Sequence, residues 1–159
     1  MKKMKIVIWV SALFLFVLIT AAVLAADKEK EVQKIGKMGE RELTAAAKER
    51  LAKKYPGEKW EAYKFPKYVF ISEAVQMGYK IAVKEYQQLA KFPCYCFCED
   101  MGHKNLAYCF LDKGVPGKFD DHASTCNICY TQAMRAFLWK ELGATDPEML
   151  RAFKEIYGK

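Results

Sequence analysis

Residues 120–143 read "DDHASTCNICYTQAMRAFLWKELG", and this stretch decides the fold. Asp120 or Asp121 supplies an N-cap side chain and Gly143 a C-terminal stop, so the spacing predicts a helix from about His122 to Leu142. His122, Cys126 and Cys129 fall at i, i+4 and i+7. On that helix a single stripe presents one imidazole and two sulfurs. The stripe continues into Ala133, Met134 and Phe137, which marks it as an inward face. Donors in the first turns of a helix also meet unpaired backbone N–H groups and the positive end of the helix dipole, both of which favour thiolate.

Downstream, "TDPE" restarts a helix at once, with Thr145 as cap, Pro147 in the first turn and Glu148 at the capping-box position. Leu150, Phe153, Ile156 and Tyr157 give it an apolar face. Upstream, a helix is predicted over Tyr68 to Ala90, with Ala74, Gly78, Ile81, Ala82, Glu85, Tyr86 and Leu89 on its buried side and Pro93 barring continuation. Another is predicted over Asp27 to Lys54, with Val32, Ile35, Leu43, Ala47 and Leu51 along a narrow seam and Gly36 and Gly39 as weak points. Pro56, Gly57 and Pro66 mark an aromatic-rich connector between the two. No strand pair and no internal repeat is evident. The expected fold is mainly α: a small domain of about four helices, with an irregular cysteine-rich loop between the second and third.

The first 26 residues stand apart. Lys2, Lys3 and Lys5 precede the uncharged run "IVIWVSALFLFVLITAAVLAA" at residues 6–26, which reads as a signal peptide or as an uncleaved anchor that crosses the membrane. Either places the rest of the chain outside the cytoplasm, secreted or anchored. The chain then divides into residues 1–26, an amphipathic helix and connector over 27–66, and a Cys/His-rich helical domain over 67–159. Without residues 1–26 the chain holds 23 basic and 19 acidic residues, net +4 with both signs interleaved. A nucleic-acid footprint would be a one-signed cluster, so nucleic acid is not an expected partner.

All six cysteines and both histidines lie between Cys94 and Cys129. In "PCYCFC", Cys94, Cys96 and Cys98 share one side if the segment is extended, and neighbouring cysteines so placed are poorly spaced for a disulfide. Three thiols there and the His122, Cys126, Cys129 stripe make complementary halves of one site, which His103 and Cys109 can close. Eight donors suffice for two four-coordinate ions or a small thiolate cluster. A donor set this rich in sulfur selects soft or borderline metals, copper as Cu(I) or zinc as Zn(II); iron–sulfur ligation needs only four cysteines and is compatible with the count. Met101 is the one methionine close enough in sequence to add a thioether.

Two other readings stay open. An even cysteine count in an exported chain also suits a disulfide-stapled interaction module. Cys126 and Cys129 form a CxxC at a helix start, the arrangement used by thiol–disulfide oxidoreductases, although the strand that normally precedes it is missing. The confinement of both histidines to the cysteine window favours metal, because a disulfide framework has no use for them. No Ser-His-Asp set, phosphate loop or catalytic carboxylate pair is present. The expected activity is non-catalytic metal binding for trafficking or sequestration, with a metal-donor or acceptor protein as partner.

The stretch from Pro93 to Tyr130, "PCYCFC…GH…CF…HASTCNIC", resembles the prokaryotic family named for its PCYCGC motif. Cys94, Cys96 and Cys98 match the motif cysteines, Gly102-His103 its Gly-His, Cys109-Phe110 its Cys-Phe, and His122, Cys126 and Cys129 its closing His-x3-Cys-x2-Cys. The resemblance implies export, often as a lipoprotein, and a shared Cys/His site, with no settled activity. Two features depart from the pattern: Phe97 stands where the motif has glycine, and no lipid-anchor cysteine is present.

Overall fold

A computed structural model describes residues 24–96, 98 and 102–158. The N-terminal segment, Phe97 and Met101 lie outside these residues, and with them the signal or anchor reading and the thioether. Among the described residues the chain is mainly helical: α1 (residues 24–37), α2 (Glu40–Lys54), α3 (Glu73–Leu89), α4 (His122–Thr125), α5 (Asn127–Glu141) and α6 (Asp146–Tyr157). None of them is long and apolar enough to cross a membrane. The only β-bridge among the described residues is an isolated antiparallel pairing of Leu111 with Phe119.

The core is built around α5. Its residues from Gln132 to Trp139 are all buried, Phe137 and Trp139 almost completely, because α2, α3 and α6 pack around it. Each large apolar side chain so enclosed contributes about 1.5–3 kcal/mol. Two of its polar side chains bond to α1 and the residue that follows it: Trp139 Nε1 donates to the Val32 carbonyl at 2.9 Å, and Arg135 donates to the Met38 carbonyl at 2.8 Å. The second bond explains why the predicted helix over 27–54 is two helices. Met38 and Gly39 leave the helix, Gly39 is extended at φ −72°, ψ 169°, and its N–H donates to Glu42 as α2 begins. A buried guanidinium needs acceptors, and a broken helix supplies one.

The approach of α3 to α5 depends on Gly78, where an added Cβ would lie 2.7 Å from the Tyr130 Cβ. The chain before α3 is a 3-10 turn over Lys67–Phe70, not helix, and Ser72 caps α3 by accepting from the Val75 N–H at 3.1 Å. Glu85 breaks helical geometry inside α3 (φ −119°, ψ 21°) and is nearly covered. Its carboxylate accepts from Lys54, Tyr55 and Lys140, and their hydrogen bonds hold its pKa below the usual range although burial pulls the other way. At the last helix, the capping box of Thr145 and Glu148 forms as read from sequence, and Met149 and Phe153 make the buried face.

Candidate metal centre

The cysteine-rich segment leaves α3 at Phe92, whose carbonyl accepts from the Leu106 N–H at 2.9 Å and so closes the loop at its base. The condition of an extended segment is not met after Cys94: residues 95 and 96 form a turn. That turn folds Cys94 and Cys96 onto each other, Sγ to Sγ 3.2 Å. Cys109 ends a 3-10 turn over Leu106–Cys109, capped by Asn105, which accepts from the Ala107 N–H. The Leu111–Phe119 bridge then returns the chain to Asp120, fastened by the Tyr79 hydroxyl donating to its carbonyl at 2.7 Å. The Asp120 carboxylate accepts from the His122 N–H at 2.9 Å, orienting α4.

The predicted single helix from His122 breaks at Cys126. Cys126 is extended (φ −115°, ψ 105°) and is the residue from which α5 starts. Helices leave their first N–H groups unpaired, and at this N-cap position those of Ile128 and Cys129 favour the Cys126 thiolate, although the sulfur makes no capping hydrogen bond. His122, Cys126 and Cys129 converge even so, on two helices in place of one stripe.

All six cysteines are unbridged. Their sulfurs gather with the two imidazoles: Cys94 to Cys129 3.4 Å, Cys96 to Cys129 3.6 Å, Cys98 to Cys109 3.7 Å, and Cys96 to His122 Nε2 3.5 Å. Four ligands held tetrahedrally at about 2.3 Å from one ion are separated by about 3.8 Å, so this spacing fits a shared ion with little movement. The donors form three overlapping sets in which all ligand atoms lie within 4.8 Å of one another. One comprises Cys94, Cys96, Cys98 and Cys109, another Cys96, His122, Cys126 and Cys129, and the third Cys98, His103 and His122. All eight sequence-predicted donors are therefore brought together.

The electrostatics prepare the site for a cation. The neighbouring Cys109 and Cys129 thiols hold Cys94 well below the ordinary thiol range. The Cys129 thiol, with the N–H groups of Cys129 and Ile128, brings Cys126 down to about 5. The crowding of the Cys109, Cys126 and Cys94 sulfurs around Cys129, together with its burial, pushes its pKa up, and burial does the same for Cys96 and Cys98. An entering metal ion displaces the remaining protons, because thiolate is the ligating form. His103 is oriented too: its ring meets that of His122 edge-on at 4.9 Å and its Nε2 lies 3.8 Å from an Asp120 oxygen, while its buried Nδ1 has no partner among the described residues. A buried ring nitrogen without a partner leaves His103 available as a metal donor.

Gln132 was silent in the sequence and is central here. Fully buried on α5, it donates from Nε2 to the Pro93 carbonyl at 2.7 Å and accepts from the Tyr95 N–H at 3.2 Å, so it clamps the backbone on both sides of Cys94. The only hint was a glutamine on an otherwise inward-facing stretch.

The family model described as a protein of unknown function with PCYCGC motif matches residues 16–159, nearly the whole chain. The chain belongs to that family. No curated protein and no solved structure matches it. The PCYCGC family match extends well beyond the cysteine window and covers α1 to α6, so the helical frame and the clustered donors fall within one family unit.

Proposed function

We propose that the protein is a non-catalytic, extracytoplasmic metal-binding protein that holds Cu(I) or Zn(II) in its Cys/His centre, for trafficking or sequestration of the ion. The observation that carries this reading is the convergence of six unbridged sulfurs and two imidazoles from separate pieces of backbone, at the spacing of ligands around an ion. The sulfur content favours soft or borderline ions over Mg(II) or Ca(II), whose sites are built from oxygen. Aromatic packing supports retention of the ion: Phe110 is fully buried and Tyr130 nearly so. Membrane attachment through residues 6–26 and exchange with a metal-donor or acceptor protein belong to the same proposal.

Metal analysis of protein purified under reductant tests the proposal, with Cys126→Ser as the companion. Bound copper or zinc in the wild type and reduced occupancy in the variant are expected; full occupancy in Cys126→Ser would remove Cys126 from the ligand set.

One observation favours a second reading. Cys126 is partly exposed and its pKa is down to about 5, with Cys129 three residues on, the features of an attacking thiol in disulfide exchange. That reading requires turnover of metal-free protein in an insulin-reduction assay and loss of turnover in Cys126→Ser.

A further inference from the structure

The donors divide unevenly for a single ion. A four-coordinate ion in the all-sulfur set of Cys94, Cys96, Cys98 and Cys109 uses none of His122, Cys126 and Cys129, which are gathered as closely. Two separate four-coordinate ions need eight independent donors, yet the two four-residue sets hold seven residues between them, because Cys96 belongs to both. Its sulfur touches donors on either side: Cys94 at 3.2 Å in the first set, and Cys129 at 3.6 Å and His122 Nε2 at 3.5 Å in the second. The sets abut directly, with Cys94 and Cys129 3.4 Å apart across the boundary. A thiolate has lone pairs enough for two metal ions. Charge points the same way: six thiolates crowded into a largely buried space are poorly compensated by one dication and much better by two.

The third set adds no further ion, since it consists of Cys98 from the first set, His122 from the second, and His103. An ion there would strip one ligand from each of the others. His103 is instead an additional donor beside both.

We propose, resting on the metal-binding reading, that the centre is binuclear: two soft ions share the Cys96 thiolate, one completed by Cys94, Cys98 and Cys109, the other by His122, Cys126 and Cys129. Cys96 is then the residue whose loss is felt by both ions, whereas each other cysteine serves one.

Full-length, reduced, metal-free protein titrated with cadmium-113 tests this by NMR. Two cadmium signals per chain are expected, both correlated with the β protons of Cys96 and each with its own remaining cysteines. Cys96→Ser is expected to weaken both ions by at least about tenfold, and Cys109→Ser only the first. Two signals with no cysteine in common overturn the shared thiolate, as does full-strength retention of one ion in Cys96→Ser. A single signal at saturation overturns the binuclear centre and leaves the metal-binding reading standing. No bound cadmium overturns both. The wild-type spectrum decides these outcomes even if a variant fails to fold.

Discussion

Replacing Gly78 by alanine tests how the frame holds the centre. The new methyl would lie 2.7 Å from the Tyr130 Cβ, 3.0 Å from a Phe110 ring carbon and 3.3 Å from the Tyr130 Cα. Carbon atoms in good contact are about 3.5–4.0 Å apart, so α3 and α5 must separate by about 1 Å. The Phe110 ring cannot yield: it is fully buried and packed edge-on against Tyr79, centroids 5.2 Å apart. Overpacking of this kind costs about 1–3 kcal/mol, and alanine returns up to about 1 kcal/mol through its better helix propensity. The expected net loss is about 1–2 kcal/mol, or about 2–8 °C in Tm for a chain of this size. Thermal unfolding of the reduced, metal-free protein followed by circular dichroism measures it. Gly36→Ala is the control, since its one tight contact would be the flexible end of Ile156 at 3.2 Å, with the Trp139 ring at an ordinary 3.9 Å, and it should be neutral or up to about 1 kcal/mol stabilising. Because Tyr130 follows Cys129, Gly78→Ala should also weaken metal binding. Wild-type stability in Gly78→Ala would refute the argument that close helix approach at this point sets the frame.

Two further outcomes are expected. Glu85→Gln keeps the shape but leaves Lys54 and Lys140 facing a neutral group; because both lysines retain some water, the expected loss is about 2 kcal/mol by urea unfolding at neutral pH. The folded pKa of Glu85 is depressed, so its contribution is present above the unfolded carboxylate value of about 4.3 and fades as pH falls through the folded value; the stability gap between wild type and variant should therefore narrow in acid, and a gap independent of pH would count against the ion cluster. Gln132→Leu removes no ligand yet leaves the Pro93 carbonyl and Tyr95 N–H unpaired, so metal affinity by competition with a chelator should fall about 10–100-fold; unchanged affinity would mean that the clamp on Cys94 is idle.

What the sequence revealed follows from the range of each signal. The capping box at Thr145, the seam of α2 through Leu43, Ala47 and Leu51, and the gathering of all eight donors were legible, because caps, periodicity and composition are local or cumulative. The break at Gly39 was legible only as a weak point, and that at Cys126 was not legible at all. Gly39 is a permissive residue, but it is Arg135, nearly a hundred positions away, that takes the Met38 carbonyl and makes the break worthwhile. Cys126 carries no glycine or proline beside it, so nothing in the local sequence announced its extended backbone. Gln132 looked like one more helix residue, since its partners are backbone groups that leave no mark on side-chain spacing.

Cys126 and Cys129 open the helix on which α2, α3 and α6 all lean. Ion binding there is consequently added to the free energy of opening the entire domain, about 2.7 kcal/mol at a free-ion level a hundredfold above the dissociation constant. Since cleavage by proteases tracks how often the chain opens, loaded copies outlast empty ones by a comparable factor. On the proposed metal-binding reading, ion supply would thereby set how long the protein survives.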